Sequence, residues 1–212
     1  MLLQLFPQLI YIENDPSFLR QSNEWYDRAL PYFLGHELLK DGKPTGRAAF
    51  RTTLAQGAGY TPGTCSVTWN PRNDPDWPSW AQLIETHVDC YTRSQQLISY
   101  KVIIANTWLN EYRNEGDQLE HQHYGYSLSG VYYPMVSEGS NQIVFHSDKT
   151  EFKHYLIPDT ITAANAHSWP VKVKTGDIIL FPSSLKHSVP RTEFDGVRRS
   201  IAFDIVLKPK IK

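Results

Sequence analysis

Cysteine is scarce in this sequence: Cys65 and Cys90 are the only two in 212 residues, and their spacing fits neither a metal-binding pair nor a disulfide framework. A reducing, cytoplasmic setting is the expectation. An excess of one charge is also missing. With 21 basic and 22 acidic residues the formal net charge is −1, so no broad field draws the chain to nucleic acid or an anionic membrane, and neither is expected as a partner. Long hydrophobic runs are absent: no stretch approaches the roughly 20 apolar residues needed to span a bilayer. The opening Met1-Leu-Leu-Gln-Leu-Phe-Pro7 has no basic leader and reads as mature structure. Internal repeats and low-complexity tracts are lacking too.

What remains is the composition of an ordinary globular chain, 41% hydrophobic and 20% charged, long enough for one generous core. We expect a single domain over 1–212, with 1–100 as helical and irregular support and 101–212 as a β-rich core. From Asp15 to Leu39, Phe18, Leu19, Trp25, Tyr26, Leu30 and Phe33 recur at mixed helical spacing, so one or two short helices broken at Pro31 are expected. Lys40 to Pro78 reads as loops, with turns at Asp41-Gly42 and Pro62-Gly63 around a short strand at Cys65 to Trp69. A longer helix follows from Pro78, because Leu83, Ile84, His87, Val88, Tyr91 and Leu97 fall at three- and four-residue intervals.

Beyond it come short runs rich in Val, Ile, Tyr, Phe and Trp: Lys101 to Tyr112, Ser127 to Val136, Gln142 to His146, Val171 to Val173, Asp177 to Phe181 and Arg198 to Leu207. Helices first and many short strands after fit a mainly β jelly roll with N-terminal helices packed on one sheet.

Two patterns carry chemistry. His121 and His123 are one residue apart, so in extended chain both imidazoles point to the same side, and His187 lies on a distant strand that a jelly roll can bring close. Two imidazoles from one segment and one from another suit a metal with open positions, although a His-x-His pair also arises by chance among eight histidines. His36, His87, His146, His154 and His167 are read as surface or core residues. The second pattern is Arg198-Arg-Ser200, beginning eleven positions after His187. Alternation puts Arg198, Ser200, Ala202 and Asp204 on one face and Arg199, Ile201, Phe203 and Ile205 on the other. An inward arginine needs an anion, either a bound carboxylate or an internal one such as Asp204.

These residues carry a resemblance. His121-Gln-His-Tyr-Gly-Tyr-Ser-Leu-Ser-Gly-Val-Tyr-Tyr133, Gly176-Asp-Ile-Ile-Leu-Phe-Pro-Ser-Ser-Leu-Lys-His187 and Arg198-Arg-Ser-Ile-Ala-Phe-Asp204, with Trp108-Leu-Asn110 and Leu5-Phe-Pro7, resemble a family of 2-oxoglutarate- and iron(II)-dependent oxygenases found in marine bacteria and tailed phages, within the prolyl-hydroxylase-like superfamily. The resemblance implies a double-stranded β-helix of cupin-like type. It implies His121 and His187 as iron ligands, and Arg198 with Ser200 as the clamp on the far carboxylate of 2-oxoglutarate. Where the wider superfamily has Asp or Glu, this chain has His123, so either three histidines hold the iron or another group completes the site; three are favoured. No catalytic residue is expected beyond the metal centre. Asn110, Tyr126, Ser127 and Tyr132 are candidates to line or support it. The implied reaction consumes O2 and 2-oxoglutarate, hydroxylates a substrate and releases succinate and CO2, in the host cytoplasm if the chain is phage-encoded. Peptidyl proline, a free amino acid and a nucleobase remain open as substrate, as does a homo-oligomer. The alternatives are a three-histidine cupin-type dioxygenase without 2-oxoglutarate, and a non-catalytic jelly-roll binding protein.

Overall fold

The computed structural model describes residues 8–37, 64–68, 74–113, 116–148 and 158–210. Leu5-Phe-Pro7, the turns at Asp41-Gly42 and Pro62-Gly63, and His154 lie outside them, as do the side chains of His36 and Cys65. In chain order the elements are β1 (Tyr11–Asn14), a 3-10 turn (Pro16–Phe18), α1 (Leu19–Glu37), β2 (Thr64–Thr68), α2 (Trp77–Ser94), β3 (Tyr100–Tyr112), β4 (Gln118–His121), β5 (Leu128–Val136), β6 (Gln142–His146), β7 (Ser168–Lys172), β8 (Asp177–Pro182), β9 (His187–Val189) and β10 (Arg198–Pro209). The strands form two antiparallel sheets, ordered β1-β8-β5-β10-β3-β2 and β4-β9-β6-β7. This is a mainly β jelly roll with N-terminal helices.

The larger sheet is apolar on both faces, and alternation assigns each face a different partner. Leu109, Tyr132, Ile178, Leu180, Ile201, Phe203 and Ile205 share a cluster with Phe18, Trp25 and Tyr26 near the N-terminus and with Trp80, Leu83, Ile84, Val88 and Tyr91 of α2. Trp80 meets Phe203 edge-on at 5.4 Å, and Phe18 sits 5.1 Å from Trp25. Truncating one such ring costs about 3–5 kcal/mol, so the helices are integral to the sheet rather than appended to it. On the opposite face Val131, Tyr133, Ile179, Phe181 and Ala202 pack with Ile143 and Phe145 of the smaller sheet. Arg198, Ser200 and Asp204 face this inter-sheet layer, while Glu111 and Arg199 meet on the helix side beside Tyr26.

Three expectations need correction. α1 continues through Pro31 instead of breaking there. A proline inside a helix costs about 3 kcal/mol, and the burial of Ser22, Trp25, Tyr26 and Ala29 in the preceding turns anchors the segment against that cost. α2 ends at Ser94, before Leu97: Gln96 adopts a left-handed φ of 55°, Leu97 N–H turns back to Thr92 O at 3.0 Å, and the Leu97 side chain is exposed. β7 starts earlier than expected and includes Pro170, which is tolerated because β7 is an edge strand paired only with β6. Among the described residues no helix is long and apolar enough to cross a membrane.

Candidate metal centre

β4 and β9 pair with His121 directly opposite His187. His123 lies past the end of β4, where its N–H donates to Ser183 O at 2.8 Å before Gly125, at φ +85°, turns the chain toward β5. The three rings converge, with centroids 4.3 Å apart for His121 and His187, 5.2 Å for His121 and His123, and 5.3 Å for His123 and His187. One ligand atom from each lies within 4.8 Å of the other two. Trp108 stacks on His123 at 5.5 Å, and Phe181 presents itself at a steep angle to His187 at 4.7 Å.

In each imidazole Nδ1 faces a protein oxygen. That of His121 faces Leu119 O at 2.7 Å, that of His187 faces Leu185 O at 3.0 Å, and that of His123 faces Asp204 Oδ1 at 2.9 Å. A ring that donates from Nδ1 keeps its Nε2 lone pair for a metal. Burial pushes the His187 imidazole down to about 3, helped by the nearby His121 and against the pull of Leu185 O. Burial also lowers His121. Burial thus favours the neutral form of His121 and His187 that binds a first-row divalent ion, and a set of three imidazoles would suit iron(II). A cleft of about 300 Å³ is lined by Glu120, His121, Gln122, Tyr124 and Lys186 and so touches the centre at His121.

Deeper between the sheets, Arg198 is 3% exposed. Its Nη1 donates to Ser140 O at 3.1 Å and Gln142 O at 2.6 Å, its Nη2 lies 3.4 Å from Tyr133 Oη, and the guanidinium sits over the rings of Tyr112 and Tyr133 at 5.3 and 5.2 Å. Among the described residues no carboxylate pairs with it, and Nε has no partner. Asp204, the internal alternative, instead faces His123. A buried cation held only by carbonyls and a phenol is costly to keep unless an anion meets it. Burial, opposed by Arg198, raises the Tyr112 phenol to about 12 and raises that of Tyr133 too, so both stay protonated and can donate. Ser200 is buried nearby, with Oγ 3.5 Å from Asn110 Nδ2.

Of the other candidates, Tyr126 reaches the centre indirectly: Asn106 Nδ2 donates to its Oη at 2.7 Å and to Asp204 Oδ2 at 3.2 Å. Ser127 is exposed and accepts from Leu207 N–H, a strand-end role. Tyr132 is turned away from the site; it packs in the helix-side cluster and donates to Asp15 O at 3.0 Å. Its neighbour Tyr133 occupies the inner face. The register Ile201↔Tyr132 carries the signal for that difference, since Ile201 belongs to the outward set. His146 is engaged at both nitrogens, by Glu120 and Ser188, while His87 is buried between Tyr11 and Asp15 and His167 is exposed.

Solved structures share this architecture. AviO1 from Streptomyces viridochromogenes Tue57 superposes with a TM-score of 0.59 at 14% identity, over 97% of this chain and 92% of that one. A prolyl-4-hydroxylase from Pseudomonas putida gives 0.57 at 10%, over 94% and 92%. HygX from Streptomyces hygroscopicus, solved with nickel and 2-oxoglutarate, gives 0.54 at 12%, over 96% and 84%. At such identities the likeness defines the fold, the double-stranded β-helix of 2-oxoglutarate oxygenases. No curated protein matches the sequence. Residues 106–204, a stretch that holds the three histidines, Arg198 and Asp204, match the family model described as "Putative 2OG-Fe(II) oxygenase".

Proposed function

We propose that this chain is an iron(II)- and 2-oxoglutarate-dependent dioxygenase that hydroxylates its substrate, working as one domain in which 101–212 form the jelly roll and 1–100 its support. The observation that carries the reading is the convergence of three imidazoles whose Nδ1 atoms each face a protein oxygen, with no hydrogen-bond partner on Nε2 among the described residues. His121, His123 and His187 would hold the iron on one face. The iron, with 2-oxoglutarate and O2, supplies oxidative decarboxylation to succinate and CO2 coupled to hydroxylation of a C–H bond.

The protein's own part is binding, orientation and exclusion of water. Arg198 takes the far carboxylate of 2-oxoglutarate through Nε and Nη2, the edge its carbonyl partners leave free. Tyr133 and Tyr112 add neutral donors beside it, and Ser200 a further hydroxyl on the same face. Trp108 and Phe181 wall the imidazoles and keep their rings in place. Arg198 also separates this reading from a three-histidine dioxygenase that takes no 2-oxoglutarate, since such an enzyme has no use for a buried arginine with no counter-ion among the described residues.

The test is succinate formation in air from 2-oxoglutarate and added iron(II). Wild type should form succinate, slowly even without a primary substrate, and His187→Ala should not. Succinate at equal rates from both, or from neither under any metal, would reject the proposal.

A further inference from the structure

Asp204 is a buried carboxylate beside the His123 imidazole. It is 2% exposed, and its oxygens accept from Ser129 Oγ at 2.8 Å and Asn106 Nδ2 at 3.2 Å and face His123 Nδ1 at 2.9 Å. Among the described residues no lysine or arginine is within ion-pair distance. Two neutral donors replace only part of the hydration a buried carboxylate loses, and a nearby cation adds to them. Among the described residues, positive charge reaches this carboxylate through the His123 ring, one of the three that converge with His121 and His187. Asp204 takes no part in holding Arg198.

Resting on the three-histidine reading above, we propose that Asp204 supplies the negative charge of the metal centre, acting through His123. With Nδ1–H kept on the ring and turned to the ionised carboxylate, the ring keeps its lone pair on Nε2 and becomes a stronger donor there, so charge one ring away is felt at the ion. The surroundings hold this pair in a fixed pose. Ser183 O fixes the His123 backbone, Ser183 Oγ lies 2.9 Å from Ser129 Oγ, and Ser129 donates to Asp204, so one cluster grips both members. Asn106 and Tyr126 close the other side. Asp204 is therefore a positioning residue that tunes metal affinity without touching the metal.

Asp204→Asn keeps an acceptor for His123 and removes the charge. Nickel(II) and cobalt(II) affinities are measured by competition with a chromophoric chelator, beside thermal unfolding of the metal-free proteins. Asp204→Asn should bind about 10- to 100-fold more weakly, shift the visible cobalt(II) spectrum, and unfold without metal at the same temperature as wild type or higher. In a His123→Ala background the same change should add no further loss of affinity. Unchanged affinity and spectrum in Asp204→Asn, an equal further loss in the His123→Ala background, or a drop in metal-free stability matching the loss of affinity would each overturn the proposal. Wild type that binds neither ion would instead overturn the three-histidine reading, and the role of Asp204 with it.

Discussion

Arg198 and Arg199 are neighbours in sequence on opposite faces of one sheet: Arg198 Nη1 donates to Gln142 O at 2.6 Å between the sheets, while Arg199 Nε donates to Glu111 Oε2 at 3.1 Å with its guanidinium over the Tyr26 ring of α1. The two side chains therefore answer to different tests. Arg198→Gln should retain metal but lose about 2–5 kcal/mol of 2-oxoglutarate binding, a weakening of roughly 30-fold or more. Arg199→Gln should bind 2-oxoglutarate as wild type does and lose only stability, since Glu111 keeps Arg113 at 2.7 Å. Calorimetric titration of 2-oxoglutarate into the nickel-loaded proteins checks both, and equal weakening in the two variants would contradict the assignment.

His187→Ala should abolish retention of metal through desalting, whereas His146→Ala should leave it intact, because both His146 nitrogens are turned to Glu120 and Ser188. Metal analysis of the desalted proteins decides this.

The metal-free protein should lose stability in mild acid. His187 has its folded value pushed down to about 3, below the roughly 6.5 of an exposed histidine, so between these limits the unfolded chain binds more protons than the folded one. The stability is complete above about pH 6.5 and is lost as the pH falls through the window. Going from about pH 7.5 to about pH 5.5 should cost about 1.4 kcal/mol from this group alone. Urea unfolding of wild type and His187→Asn at both pH values should show the smaller difference in the variant; an identical difference would refute the role given to His187.

Gly130 lies where β5 passes under the helix-side cluster. A Cβ there would collide with the Phe203 ring and stand 2.8 Å from Leu180 Cδ2. Gly130→Ala should therefore destabilise by about 1–3 kcal/mol through overpacking, with metal affinity preserved. Thermal unfolding beside chelator competition measures the two separately.

The helix and strand pattern was legible because its periods are long and regular: the α2 stripe from Trp80 to Tyr91 and the alternation of β10 both follow from spacing alone. β4 and β9, with four and three residues, are too short to show a period, and they carry two of the three histidines. Tyr132 and Tyr133 could not be told apart without the register of β5, where a one-residue choice exchanges the two faces. The contact between Asp204 and His123 joins a strand to a turn 81 positions away, and local sequence holds no trace of such a pairing.

Visible absorption under anaerobic conditions tests the central claim most directly, because it reports iron and 2-oxoglutarate on one centre without need of the primary substrate. Adding 2-oxoglutarate to the iron(II)-loaded protein should raise a charge-transfer band that is absent with either alone, lost in His187→Ala and displaced to much higher 2-oxoglutarate concentration in Arg198→Gln. No band in wild type at saturating iron(II) and 2-oxoglutarate, or a band of equal strength in His187→Ala, would contradict the account.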